Sequence, residues 1–197
     1  MSRLQRALCQ LDIDLRQLRI PSAVIGGLAV SVRAEPRTTR DLDISVTVRN
    51  DSEAESIVRD FWARGYRLAT PPLEQLEVQR LATVRFLSPG QDVEGVVVDL
   101  LFASSGIEPE IVAAAEPLEV LPDIVMPVAT IGHLLALKTL ASRAQDVADI
   151  HSLLQFAKNR DIQLAYEALA LISKRGFDRG KDLEKLFMSY LKQIERS

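Results

Sequence analysis

The sequence predicts an α/β (α+β) fold, a sheet-and-helix core followed by a C-terminal helical bundle. Three observations carry the prediction. Apolar residues alternate with period two in the first half, they recur at intervals of three and four after residue 130, and Pro and Gly punctuate the segments between. The 197 residues are 47% hydrophobic, enough for one core domain with a helical appendage, which we divide as 1–129 and 130–197.

Leu4, Leu8, Leu11, Leu15 and Leu18 form the apolar stripe of an N-terminal helix. After Pro21, Ser22 to Ile25 reads as a strand stopped by Gly26 and Gly27, and Leu28 to Ala34 as a short helix closed before Pro36. Leu42, Ile44, Val46 and Val48 alternate with Asp41, Asp43, Ser45 and Thr47, the pattern of a half-buried strand. Ser52 with Glu55 suits a capping box for a helix whose apolar face is Ile57, Val58, Phe61 and Trp62, ended by Gly65. Tyr66 to Ala69, Ala82 to Leu87 and Val96 to Phe102 read as strands, the last so apolar that it belongs at the centre of a sheet. Glu119 to Val128 is extended. Helices follow from Thr130 to about Leu140, from a Ser142/Gln145 capping box through Phe156, from Ile162 to Lys174 and from Lys181 to Glu195, with the turn Arg175 to Gly180 before the last.

The formal charge of −3 argues against a generally basic nucleic-acid binder while leaving room for a local basic groove. With no polybasic tail, no long apolar run and no signal-peptide core, the reading is a cytoplasmic protein without a membrane segment. Cys9 is the single cysteine, best read as a small packed hydrophobe. His133 and His151 lack zinc-ligand spacing and read as structural, so any metal falls to carboxylates. Ser104-Ser105 has no nucleophile-elbow setting, which leaves a Ser-His-Asp hydrolase unsupported.

Same-face residues on a strand lie about 6.6 to 6.8 Å apart, so Asp41 and Asp43 point the same way and can converge on a divalent cation. Asp99, in the middle of an apolar strand, needs a partner, because an unpaired buried carboxylate costs several kcal/mol as an order of magnitude. A metal ion is one such partner, and all-oxygen ligation suits Mg²⁺ in a two-metal site of Asp41, Asp43 and Asp99. A lone Asp-x-Asp equally suits a solvated edge. Gly26 and Gly27 remove side chains where a phosphate approaches, and the following helix start offers free N–H groups. Arg37 is placed to bind phosphate, Thr39 to fix the strand entry by a hydrogen bond, and Arg33 and Arg40 to sit on the surface. Asp146 and Asp149 share a helix face, where Asp146 can accept a proton and Lys138 can hold triphosphate oxygens. From the helix alone, a solvated lysine with first-turn acids explains them too.

Gly26-Gly27, Asp41-Leu42-Asp43 and Asp99 resemble, in order and spacing, the nucleotidyltransferase superfamily of the DNA polymerase β type. More narrowly, Arg37-x-Thr39-x-Asp41-Leu42-Asp43 followed by Lys138, Arg143, Asp146 and Asp149 is similar to the AbiEii-type toxins of abortive-infection and type IV toxin–antitoxin systems. Leu28 stands where many polymerase-type members carry a serine. The resemblance spans about Pro21 to Leu154 and implies a mixed β-sheet core and Mg²⁺-dependent transfer of a nucleoside monophosphate from a triphosphate to an acceptor hydroxyl. It assigns metal binding to Asp41, Asp43 and Asp99, catalysis to these and Asp146, and nucleotide binding to Gly26, Gly27, Arg37, Thr39 and Lys138. It also implies an RNA acceptor such as tRNA and an antitoxin partner. A small-molecule, antibiotic-type nucleotidyltransferase and a catalytically silent nucleotide-binding module are the competing readings.

Overall fold

A computed structural model describes residues 2–69, 74–77, 80–90 and 95–194. In chain order the elements are α1 (Arg3–Gln17), β1 (Ser22–Val24), α2 (Gly26–Arg33), β2 (Leu42–Val46), α3 (Asp51–Ala63), β3 (Arg67–Leu68), β4 (Glu74–Glu77), β5 (Arg80–Leu87) and β6 (Val97–Leu101). They continue with α4 (Glu108–Ala113), β7 (Glu116–Leu121), β8 (Ile124–Val128), α5 (Ile131–Ala141), α6 (Ala144–Phe156), α7 (Asn159–Lys174) and α8 (Leu183–Ile194).

One sheet runs in the order β3-β5-β6-β2-β1-β8-β7, with β4 also paired to β5. It is mixed, as the resemblance implies: β2 is parallel to β6 and β1 to β8, while the remaining pairs are antiparallel. β6 lies between β5 and β2, and Val98 and Leu100 are fully buried, which explains its near-continuous apolar run. Leu8, Leu11 and Leu15 of α1 are buried as their spacing predicts. Among the described residues no helix is long and apolar enough to cross a membrane.

Several boundaries differ from the sequence reading for local reasons. The glycine pair opens α2 instead of preceding it. Asn50, not Ser52, caps α3 by accepting the N–H of Glu53 at 3.0 Å, and Trp62 is 66% exposed while Ile57 and Phe61 face the core. Glu119 to Val128 is part of a β7–β8 hairpin that turns at Asp123, with φ of 66°. Ser142 terminates α5 in the left-handed conformation, so the cap of α6 shifts to Arg143, whose N–H donates to Asp146 at 3.1 Å. α7 starts at Asn159, because the Asp161 carboxylate accepts the N–H of Lys158 at 2.8 Å. The predicted end of the last helix, Glu195, lies outside the described residues. Neither α4 nor β4 was foreseen.

Arg33 is not a surface residue. It donates to the carbonyls of Ala129 and Val128 at 2.9 and 3.0 Å and pairs with Glu116 at 2.6 Å, fastening α2 to the β7–β8 hairpin. The position decisive for the site is α5, which is apolar almost all round and packs against α7, α6, α8 and α2. At Gly132 an added Cβ would meet the Asp161 carbonyl at 2.7 Å, so α5 and α7 touch backbone to backbone. Burial of α5 carries Lys138 into the interior at 7% exposure, and an ammonium there needs counter-charges. His133, on the same helix, is buried with its Nδ1 2.9 Å from the Thr130 hydroxyl, and burial lowers its pKa, the signature of a structural histidine.

Candidate active site

Gly26 has φ of 63°, and a Cβ there would lie 1.9 Å from Oδ2 of Asp43. No other residue type fits at that position. The N–H of Gly27 donates to the Asp43 carboxylate, so the positive end of α2 points at Asp43. A Cβ on Gly27 would meet Nη2 of Arg37 at 2.7 Å and Oγ1 of Thr39 at 3.0 Å. The glycine pair therefore makes room for the protein's own carboxylate, guanidinium and hydroxyl. Thr39 donates to the carbonyl of Asp41 at 3.2 Å and fixes the strand entry.

Strand register aligns the sheet residues. Asp43 on β2 is paired with Asp99 on β6, and Asp99 with Arg85 on β5, giving one transverse row across three neighbouring strands. Asp41, expected to share the strand face of Asp43, precedes β2 and is exposed. Burial pushes the pKa of Asp43 up to about 6, the negative charges of Asp99 and Asp41 push the same way, and Lys138 and the Gly27 N–H only partly offset them. Asp99, buried, has the partner that its strand position demands, and that partner is Arg85: Nε and Nη2 fork its two oxygens at 2.8 and 2.7 Å. The sequence reading missed Arg85. The available signal was an arginine on the same face as Thr83 in a strand flanking the acidic one.

Asp41 and Asp43 offer hard oxygen donors, and Asp43, whose pKa burial and two neighbouring carboxylates raise, would be stabilised in its charged form by a divalent cation. Among the described residues, however, no three His, Cys, Asp or Glu side chains converge as a metal cluster, because Asp99 is turned to Arg85.

The helical side of the site is a closed charge network. Lys138 Nζ lies 3.0 Å from Asp146 Oδ1 and 2.8 Å from Asp149 Oδ2. Arg143 Nε donates to Asp146 Oδ2 at 2.7 Å, and Arg37 Nη2 to Asp149 Oδ2 at 3.0 Å. Burial raises the pKa of Asp146, but the hydrogen bonds from Arg143 and Lys138 outweigh it and hold the group below the usual carboxylate range. Asp146 is accordingly a weaker base than Asp43. Arg37, read as a phosphate contact, is tied to Asp149 across 112 positions of sequence and anchors the segment before β2 to α6. Arg40 is exposed.

These groups meet in a cleft of about 330 Å³ between the sheet and α5–α6. Of the residues chosen from sequence, Gly26, Asp43, Asp99, Lys138 and Asp146 line it; Gly27, Arg37, Thr39 and Asp41 do not. Its other wall holds Leu134 and Leu137 of α5, Ser104 and Ser105 of the loop after β6, and Arg179 from the turn before α8. That loop is held by Glu108, whose Oε1 accepts both serine N–H groups and both hydroxyls at 2.8 to 3.3 Å. Arg179 ties the C-terminal turn to it by donating to the Ser104 carbonyl at 3.0 Å.

Among solved structures, the antigenic nucleotidyltransferase-like protein from Paracoccidioides brasiliensis aligns with TM-score 0.55 at 17% identity, over 94% of this chain and 92% of that one. The lincomycin-bound lincosamide antibiotic adenylyltransferase LnuA aligns with TM-score 0.50 at 12% identity, over 77% of this chain and 97% of its own. At such identities the likeness is one of fold. No curated protein sequence matches the chain. The family described as nucleotidyl transferase AbiEii toxin, type IV toxin–antitoxin system, matches residues 6–194. With a matched span that takes in both the sheet carboxylates and the Lys138 network, the chain belongs to the AbiEii nucleotidyltransferase family.

Proposed function

We propose that this nucleotidyltransferase is Mg²⁺-dependent and transfers a nucleoside monophosphate from a triphosphate to a hydroxyl of RNA, with tRNA as the acceptor class. In this reading it acts as a cytoplasmic toxin opposed by a cognate antitoxin. One observation carries the reading: Asp43 and Asp99, paired in register, share a single cleft with Lys138, Arg143 and Asp146. Asp41 and Asp43 would hold the cation, with Asp99 as third ligand. When bound, Mg²⁺ supplies charge stabilisation at the α-phosphate and the departing pyrophosphate. The acceptor oxygen attacks the α-phosphorus, the bond to the β-phosphate oxygen breaks, pyrophosphate leaves, and the hydroxyl proton passes to a carboxylate of the sheet row. Lys138 and Arg143 hold phosphate oxygens, while Asp146 keeps Lys138 oriented.

Arg85, Lys138, Arg143 and Arg179 line the cleft together with Asp43, Asp99 and Asp146, and the cationic groups support an acceptor that carries phosphate. Adenylyl transfer to a small molecule, as in the lincosamide antibiotic adenylyltransferase LnuA, is the second reading on fold likeness alone.

The test incubates the protein with each labelled nucleoside triphosphate, Mg²⁺ and total RNA, beside Asp43→Asn. Label in RNA that is lost in the variant supports the proposal. Label confined to small acceptors redirects it to the second reading, and failure to bind any triphosphate removes it.

A further inference from the structure

Building on the metal-dependent reading of the site, we infer that Arg85 is a latch on the third carboxylate: it holds Asp99 away from Asp41 and Asp43 and thereby sets the protein's affinity for divalent cations before nucleotide arrives. The inference rests on the transverse row. Asp99 sits on the middle strand of β5-β6-β2, with Arg85 beside it on one flank and Asp43 on the other. Neighbouring strands are about 4.8 Å apart, so the carboxylate of Asp99 can serve either flank but not both at full strength. Both of its oxygens accept from the guanidinium fork of Arg85, which comes from the flanking strand opposite that of Asp43.

The fork is a competitor of matched chemistry. A bidentate guanidinium satisfies a carboxylate as few other groups do, and at 9% side-chain exposure Asp99 needs a positive charge at all times. A cation that recruits Asp99 competes with Arg85 for the negative charge of its two oxygens. The exchange leaves the guanidinium, whose side chain is 37% exposed in the cleft, free to meet incoming phosphate. Arg85 is thus a positioning residue acting through Asp99, and metal and nucleotide binding are coupled through it.

The experiment measures Mn²⁺ binding to nucleotide-free protein, by calorimetric titration and by the Mn²⁺-induced shift in melting temperature, for wild type, Arg85→Met, Arg85→Lys and Asp99→Asn. Arg85→Met, which leaves Asp99 without its guanidinium, is expected to bind Mn²⁺ roughly tenfold more tightly than wild type, the scale of one charge-assisted contact partly screened by water. Arg85→Lys keeps the charge but not the fork and is expected to gain about threefold by the same argument. Asp99→Asn removes the gain in an Arg85→Met background. Unchanged or weaker Mn²⁺ binding in Arg85→Met, or in Arg85→Lys if the methionine variant does not fold, overturns the latch. A wild type that labels RNA while both variants bind Mn²⁺ as it does would sink the latch alone; a wild type that binds neither Mn²⁺ nor triphosphate sinks the reading it builds on.

Discussion

The two sides of the site carry the same residue types and opposite electrostatic balance. On the sheet, burial and the charges of Asp99 and Asp41 outweigh Lys138, and Asp43 is left protonating near pH 6, while Asp99 is paired with Arg85. On the helical side, Asp146 and Asp149 face Lys138, Arg143 and, from the segment before β2, Arg37, and Asp146 is held below the ordinary range. The first side keeps charge that the fold itself does not neutralise, whereas the second is neutralised within the protein. A site under electrostatic strain is where a cation or a charged transition state gains most, and a satisfied network is what holds a lysine in place.

The largest effect that this contrast predicts is on turnover. Asp43→Asn is expected to lower kcat by about 10³ or more, roughly 4 kcal/mol of transition-state stabilisation, without loss of fold; steady-state nucleotide transfer beside a thermal melt checks it. If the variant unfolds instead, the sheet carboxylates are structural and the contrast disappears. Next in size is Lys138→Met. It leaves Asp146 and Asp149 buried with their central counter-charge missing, at an expected loss of about 3 kcal/mol in urea unfolding. A wild-type midpoint in that variant would show that Arg37 and Arg143 suffice.

The two sides also respond to pH with opposite sign. Asp43 titrates higher in the folded chain than at its ordinary value of 3.8, so the folded state binds the extra proton and chelated, metal-free protein loses stability as pH rises from about 4 through about 6. The loss should reach about 3 kcal/mol and vanish in Asp43→Asn. Asp146 is shifted down, so its contribution is complete above its ordinary 3.8 and is lost as pH falls through the lowered folded value. Denaturant midpoints measured from pH 3 to pH 8 with a chelator separate the two. The smallest effect belongs to Arg143→Ala: its side chain is 77% exposed, so stability should fall by no more than about 1 kcal/mol while the KM for triphosphate rises.

Legibility from sequence followed the range of the interaction. The β2 alternation and the α1 leucine stripe were readable because each is set within a few residues by backbone geometry, while the order of glycine pair, Asp-x-Asp and third aspartate was readable only as a family resemblance. Capping was readable only to within one or two residues: Ser52 and Ser142 were plausible caps, but Asn50 and Arg143 hold those places. Side-chain partners were read least well. The position of Arg37 suggests a phosphate contact, yet it is bound to Asp149; that of Arg33 suggests the surface, yet it fastens α2 to β7 and β8. Ser104, Ser105 and Arg179 reach the cleft from segments with no motif of their own.

By itself, then, the sequence determined the strand and helix periods and the glycine pair between the first strand and the helix after it, whereas Asp41, expected on the strand face of Asp43, precedes β2 and stays outside the cleft. Those features depend on local torsions and on the alternation of side chains. The tertiary structure alone decided that Asp99 pairs with Arg85, 14 residues away, and that Lys138 lies between two aspartates of the next helix. Sheet register and helix burial choose those neighbours, and charge compensation is a property of whatever the fold brings within a few ångströms.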